Sequence, residues 1–464
     1  MTPEEFRRHG HEAIEWIAEF LENPGRYPVL PRASPGELTD ALPGTGPERG
    51  ESMEQILADF ERLIVPAMTQ WNHPGFLAYF ANSATAEGIL GELLTAALNG
   101  NGMLWKTAPA VTELEQVALR WLRHWSGLPE DWFGLIFDTA STASMHAIAA
   151  AREAKDPESR TRGSRPGLVV YTSEQSHSSI EKAAMAVGIG QDYVRKIAVD
   201  EEFRMRPDAL QSAIEADLVA GQRPCCVAAT VGTTSTTSVD PVPAIAGLCE
   251  QYGLWLHVDA AYAGSAALVP ELRWAFEGCE RADSFVTNPH KWLLTPMDCS
   301  VFYTRRPDVL RRAFSLVPEY LQSSADPRAV NLMDYGVPLG RRFRALKLWF
   351  VLRSFGREGL VDVIRAHVRM AQDIAAAVDA DPCFERMAPC PFSVVNFRYR
   401  GSDEQNRRIL DAVNATGDVF LSSTVLRGKF TLHLAIGNHA TRPEHVARAW
   451  DLLRREARQS DPRS

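Results

Sequence analysis

Long apolar runs are missing from this 464-residue chain. No 18-residue stretch is both apolar and free of charge, and the N-terminus, MTPEEFRRHGHE, has no hydrophobic signal region. Membrane spans are therefore not expected, and a cytoplasmic protein is. Cysteine is sparse: the seven, at 225, 226, 249, 279, 299, 383 and 390, are odd in number, mostly in apolar contexts and without metal-ligand spacing. A disulfide framework and a metal site are both disfavoured, and reduced core thiols are expected. Lysine is scarce, 7 against 42 arginines, so a lysine in a semi-buried setting stands out. The net charge of −9, spread along the chain, argues against a nucleic-acid partner. Repeats and low-complexity tracts are lacking too. What is present is ordinary for a globular protein, 45% hydrophobic and 23% charged, in a chain long enough for two or three domains.

Thr2-Pro3-Glu4-Glu5 starts a helix with a capping hydroxyl, an early proline and first-turn acids; Phe6, Ala13, Ile17 and Leu21 give it one apolar stripe. Residues 23–50, rich in proline and glycine, predict an extended connector, and a second helix follows over about 52–65. This N-terminal arm, 1–85, has little interior of its own and is expected to pack on a second copy of the chain. Beyond it, helical signals at 86–98 and 110–125 lead into alternating strands and helices. The strands are expected at 134–137, 167–171, 193–197, 225–230, 254–258, 284–287 and 299–303, with helices at 144–154, 179–187, 207–220, 243–252 and 270–277. That alternation predicts an α/β domain, 86–346, with a mostly parallel sheet whose ligands sit at the strands' carboxyl ends. A long helix, about 341–355 and continued over 360–378, precedes strands near 393–399, 419–424 and 429–435 and helices near 404–414 and 442–456. Residues 347–464 are taken as a small α+β domain.

Chemistry-bearing residues cluster after the strands. Lys291 follows the 284–287 strand between His290 and Trp292, where a lysine is either solvated or used. The apolar run Leu254 to Val258 ends in Asp259, 32 residues earlier. A carboxylate ending one buried strand and a lysine after another is how a pyridoxal phosphate site is assembled: the amine binds the cofactor aldehyde, and the carboxylate keeps the pyridine nitrogen protonated. The turn DTASTAS, 138–144, opens a helix and suits a phosphate, although such turns are also ordinary caps. His177 in YTSEQSHSS is a lone histidine after a strand. The hydroxyl run TVGTTSTTS, 230–238, is open to two readings, a polar turn or a partner for cofactor or Asp259.

The segments HVDAAYAGSA (257–266), NPHKWLL (288–294) with DCS (298–300), SHSSIEKA (176–183), PLGRRFRALKLWF (338–350), TELE (112–115) and EFRRHG (5–10) carry a resemblance that covers essentially the whole chain. With them the chain resembles the pyridoxal-phosphate-dependent group II decarboxylases, specifically the aromatic L-amino-acid decarboxylases. The resemblance implies a fold type I enzyme: a mostly parallel seven-stranded sheet with helices on both faces, a helical N-terminal arm and a small C-terminal α+β domain. It also implies a homodimer with its active site at the subunit interface, pyridoxal 5'-phosphate as cofactor, no metal, and an aromatic amino acid as substrate. Residue by residue, it makes Lys291 the Schiff-base lysine, Asp259 the partner of the pyridine nitrogen and His177 the residue stacked on the ring. Ala140, Ser141 and Asn288 would hold the phosphate, Thr234 and Ala261 would line the ring, and His290 neighbours the lysine. Tyr320 matches a loop tyrosine that returns a proton to the substrate alpha carbon. Trp71, Tyr79, Phe80 and Met103 match substrate-side positions, and Gly340 belongs near the partner subunit's site.

Three features bear on specificity. Aldehyde-forming oxidative relatives typically replace the loop tyrosine by phenylalanine or the stacking histidine by asparagine, whereas Tyr320 and His177 take the decarboxylase form. Gly340, where some phenol-preferring relatives carry serine, leaves room for an indole, so tryptophan or 5-hydroxytryptophan is the expected substrate, with tyrosine, DOPA and phenylalanine as further candidates. Departures at Thr142, in ANSATA (81–86) and at Met103 touch the substrate side more than the reaction. The rival functions are an oxidative aromatic acetaldehyde synthase and a catalytically silent binding protein; intact Lys291, Asp259, His177 and Tyr320 argue against the second.

Overall fold

The computed structural model describes residues 1–316 and 328–459, and the chain forms two compact units. The larger unit, Asn82–Ala376 with Arg386–Asn396, is built on seven strands. These are β1 (Phe133–Phe137), β2 (Leu168–Ser173), β3 (Val194–Ile197), β4 (Arg223–Thr230), β5 (Trp255–Asp259), β6 (Ser284–Thr287) and β7 (Ser300–Thr304). Every expected strand is present, with ends displaced by at most two residues. Their near-continuous burial is what a sheet covered on both faces requires.

The strand order is β1-β7-β6-β5-β4-β2-β3. The pairs β2–β3, β2–β4, β4–β5 and β5–β6 are parallel, whereas β7 runs antiparallel to both β6 and β1. The reversal has a simple cause. Only the four-residue helix Pro289–Trp292 and a short link separate β6 from β7, too little chain for a parallel crossover. Two antiparallel steps leave β1 pointing the same way as β6. The carboxyl ends of β1 to β6 therefore open on one edge of the sheet, and the turns bearing the candidate residues leave from that edge.

The helix Ala140–Lys155 packs its alanines into the sheet: Ala143, Ala147 and Ala150 are fully buried with Leu135, Val170, Ala228 and Val286. Small side chains bring the helix axis close to the strands. Some expected helices differ. Residues 270–277 form a 3-10 helix, Pro270–Phe276. The helical stretch after Gly340, Arg344–Ala380, does follow the expectation of two pieces: it breaks at Gly356, whose φ of 62° suits glycine alone among common residues.

The smaller unit contains Met1–Ala81, Ala377–Glu385 and the chain from Phe397 onward. Its first helix, Pro3–Glu22, begins with a full capping box: Thr2 Oγ1 accepts from the Glu5 N–H at 3.2 Å, and Glu5 Oε2 from the Thr2 N–H at 2.7 Å. The 23–50 connector holds one short helix, Glu37–Ala41. The helix Met53–Asp59 passes into a π turn, Phe60–Ile64. The C-terminal region adds a four-stranded sheet of β8 (Phe384–Arg386), β9 (Val394–Tyr399), β10 (Ser422–Leu426) and β11 (Lys429–Ala435), in the order β10-β11-β9-β8. β8 was not expected, and β10 starts three residues later than the sequence suggested, at Ser422. Five cysteines are buried free thiols, whereas Cys383 is exposed and Cys390 half-buried, so the expectation of core thiols holds for five of seven. Among the described residues no helix is long and apolar enough to cross a membrane, and no cluster of three or more His, Cys, Asp or Glu could hold a metal.

Candidate active site

β5 ends in Asp259, which is 5% exposed and accepts the Ala261 N–H on Oδ1 at 3.0 Å. The strand's last carbonyl also accepts from the Val231 N–H of the neighbouring chain segment. The residue is thus held at its carboxylate by the Ala261 N–H and at its main chain by the Val231 N–H. Beside β5, the β6 strand delivers Asn288 and then the helix Pro289–Trp292 with Lys291. Asn288 is anchored to Ala261, its N–H donating to the Ala261 carbonyl at 2.9 Å, and the Lys291 N–H donates to the Asn288 carbonyl at 2.9 Å. Asp259, Ala261, Asn288 and Lys291 are therefore one hydrogen-bonded unit of backbone.

The Lys291 side chain keeps some accessible surface, yet its ammonium is desolvated, and its pKa lies below the ordinary lysine value. Burial is the larger cause, and the nearby Asp259 carboxylate opposes it. More of the amine is neutral near pH 7 than on a surface lysine, which favours a nucleophile. His290 is buried, accepts the Cys299 N–H on Nδ1 at 2.9 Å, and is pushed down to about 4 by burial, with Lys291 and Lys347 adding to the effect. It is a neutral neighbour of Lys291.

β2 delivers His177 four residues beyond its end. The ring has an exposed face; its Nδ1 accepts the Ser179 N–H at 3.2 Å, with the Ser179 hydroxyl at 2.9 Å. Its pKa is lowered by desolvation, with Asp259 opposing and Lys291 and Lys182 assisting. An Nδ1 occupied as acceptor and a depressed pKa both describe a neutral imidazole, held within electrostatic reach of Asp259 and Lys291.

β1 leads into the helix Ala140–Lys155. Thr139 caps it, its hydroxyl accepting the Thr142 N–H at 3.4 Å, while its carbonyl accepts from Ala143 at 3.0 Å. The N–H groups of Ala140 and Ser141 precede the first intrahelical bond and are left for a ligand at the positive end of a sixteen-residue helix. Asn288 Oδ1 is buried without a hydrogen-bond partner among the described residues. The helix-start donors, with the buried Asn288 amide beside Lys291, fit the phosphate of pyridoxal phosphate, and Asp259 and Lys291 fit its ring nitrogen and aldehyde.

The hydroxyl turn after β4 is partly bonded within itself. Thr233, Thr236 and Ser238 bond one another at 2.8 Å, Ser238 also donates to the Glu202 carbonyl, and Thr234 alone of the named candidates there stays exposed. Gly340 is exposed, and a Cβ placed on it would meet only Asn101 Nδ2, at 3.8 Å. Met103 packs with Leu104 and Met333 in the larger unit. Trp71, Tyr79 and Phe80 belong to the smaller unit, where Trp71 packs tilted against Phe76 with ring centroids 4.3 Å apart and Tyr79 lies edge-on to Phe420 at 5.8 Å. Tyr320 lies outside the described residues.

Two supporting groups had a sequence signal but no assigned role. Glu115, in TELE, is buried and accepts both the Ile136 N–H and Arg341 Nη2, so it ties the motif PLGRRFR to β1. His257, in HVDAAYAG, bonds Ser144 of the DTASTAS turn. Motif membership marked both; only folding shows what they touch.

Residues 35–400 match the family model described as the pyridoxal-dependent decarboxylase conserved domain. The chain is 40% identical to a phenylacetaldehyde synthase of Arabidopsis thaliana, over 98% of this chain and 96% of that protein. It is 41% identical to tryptophan decarboxylase TDC2 of Camptotheca acuminata, over 98% and 95%. The crystal structure of the Oryza sativa TDC with PLP and tryptamine superimposes with a TM-score of 0.96 at 35% identity, covering 99% of both chains.

Proposed function

We propose, on the premise that this chain belongs to the pyridoxal-dependent decarboxylase family, that it removes carbon dioxide from aromatic L-amino acids, releasing the arylalkylamine, and that indole substrates are accepted. The observation that carries the site is the desolvated Lys291 amine beside the buried Asp259 carboxylate on adjoining strand ends. When bound, pyridoxal phosphate supplies an electron sink for the pair left on the substrate alpha carbon as carbon dioxide departs.

The chain's own residues do the rest. Lys291, whose pKa burial lowers, would hold the cofactor covalently through its amine. Asp259, fixed by the Ala261 N–H, presents a negative charge that favours protonation of the ring nitrogen. His177 would present its neutral imidazole to the cofactor ring. The N–H groups of Ala140 and Ser141, with Asn288, take the phosphate, and Thr234, Ala261 and His290 complete the surroundings. Tyr320 is assigned the proton donor to the alpha carbon, as general acid. Trp71, Tyr79, Phe80 and Met103 are assigned to the substrate side.

A second copy of the chain completes the proposal. On the helix Ala86–Leu98, Leu90, Leu93, Leu94 and Leu98 are all exposed at helical spacing, as is Phe6 on the first helix, and a soluble monomer rarely leaves such a stripe open. A homodimer with the active site at its interface accounts for it.

Purified protein incubated with tryptophan, 5-hydroxytryptophan, tyrosine, DOPA and phenylalanine, and assayed for amine, aldehyde and hydrogen peroxide, tests the reading. Amine from an indole substrate is the expected result. Aldehyde with peroxide as the main products would support the oxidative reaction named by the Arabidopsis relative, and turnover of phenols alone would sink the indole assignment.

A further inference from the structure

β5 is apolar except at two positions, His257 and Asp259, and the strand's pleat puts Trp255, His257 and Asp259 on one face. His257 is fully buried, and both of its nitrogens are engaged. Nε2 lies 3.0 Å from Ser144 Oγ, 113 residues away on the Ala140–Lys155 helix, and Nδ1 lies 2.9 Å from Ser284 Oγ at the start of β6. Ser284 Oγ also accepts Trp255 Nε1–H at 2.9 Å. Ser144 and Ser284 are as inaccessible as the histidine, and Trp255 is 3% exposed. Four buried polar groups, drawn from a helix and two strands, thus satisfy one another.

The position of this tie relative to the site is its notable feature. Ser144 stands one helical turn behind Ala140, about 6 Å along the helix axis. His257 stands one pleat behind Asp259, about 6.6 Å along the strand. The Ser144–His257 bond is therefore set back by nearly the same length from the helix start and from the carboxylate. Apolar packing between a helix and a sheet tolerates sliding by a fraction of an ångström, whereas a hydrogen bond to an aromatic ring fixes both distance and direction. Burial pushes the imidazole pKa down to about 4, so the ring stays neutral and both serine hydroxyls remain compatible partners.

We propose that His257 is a positioning residue: through Ser144 it holds the start of the Ala140–Lys155 helix in register with Asp259, so that groups at the phosphate end and the ring-nitrogen end of the cofactor keep a fixed separation. The inference rests on the site reading above. A histidine satisfied in the core for stability alone would affect melting and leave cofactor binding untouched.

The test uses the full-length holoenzyme. Borohydride treatment of the wild type, followed by peptide mapping, first establishes whether the cofactor is attached at Lys291; if it is not, the site reading fails independently of His257. With attachment secured, pyridoxal phosphate affinity is measured by fluorescence quenching, and the absorbance maximum of the bound cofactor recorded, for Ser144→Ala, His257→Phe, the double variant and His257→Gln. The expected result is cofactor binding weaker by roughly tenfold, one lost hydrogen bond, in Ser144→Ala and His257→Phe. The double variant should be no weaker than His257→Phe, the absorbance maximum should shift, and His257→Gln should recover part of the loss. Ile214→Ala, a buried site on another helix, serves as the control for general destabilisation. Affinity within about twofold of wild type in folded Ser144→Ala overturns the proposal, as does an equal loss in Ile214→Ala. Ser144→Ala carries the test by itself where His257→Phe fails to fold.

Discussion

Arg341 Nη2 donates to Glu115 Oε1 at 2.8 Å and to the Ile136 carbonyl at 2.9 Å, and the same Glu115 oxygen accepts the Ile136 N–H at 2.9 Å. The two side chains are 7% and 2% exposed, so the pair and both backbone groups of Ile136 bond one another away from water, with Arg341 Nε left without a partner among the described residues. Removing one partner leaves a buried charge and an orphaned backbone group. Glu115→Ala is expected to cost on the order of 3 to 5 kcal/mol, read as a lowered denaturant midpoint. Arg341→Lys should recover little of the function of arginine, because an ammonium cannot serve carboxylate and carbonyl in the same plane. A Glu115→Ala protein as stable as wild type would refute the brace.

Gly340 precedes that arginine. A Cβ there meets only Asn101 Nδ2 at ordinary contact distance, so Gly340→Ser should leave stability within about 0.5 kcal/mol. The expected change is in specificity: kcat/KM for tryptophan falls relative to tyrosine. Equal effects on both substrates would remove Gly340 from ring selection.

Tyr320→Phe is expected to lower amine output and to raise aldehyde with hydrogen peroxide. Product analysis under air reads both. Full-rate production of amine alone would exclude Tyr320 as the proton donor.

Acidification should destabilise the fold. Burial holds His73, His146, His257 and His290 down to about 4, against roughly 6.5 in an unfolded chain. As pH falls through that interval the unfolded chain takes up protons first, so the contribution of these residues is complete above about 6.5 and is lost towards 4. Asp240, raised by burial to about 6, works in the opposite direction, as one group against four. Thermal melts between pH 7.5 and 4.5 should therefore show a falling Tm; a flat or rising profile contradicts the assignment.

Leu94→Glu, and Leu90→Glu beside it, place a charge in the exposed leucine stripe. Light scattering is expected to show a shift from dimer to monomer, with loss of activity. A wild-type protein that is monomeric at micromolar concentration would rule out the dimer.

The sequence by itself determined the strand ends and the chemistry attached to them. Short apolar runs closed by Asp259, by Asn288 to Lys291, by the turn before Ala140 and by the turn to His177 are local patterns, and an apolar run must be buried whatever its neighbours are. Tertiary structure decided which ends meet. The order that sets β5 beside β6 and so Asp259 beside Lys291, the reversal of β7, and the bonds from Ser144 to His257 and from Glu115 to Arg341 all join segments far apart in the chain. The hydroxyls of Thr233, Thr236 and Ser238 show the same limit from the other side: the sequence allowed them two partners, and they bond each other. A polar side chain carries a fixed set of donors and acceptors, but its partner is chosen by whichever groups are buried with it, and burial is a property of the folded whole.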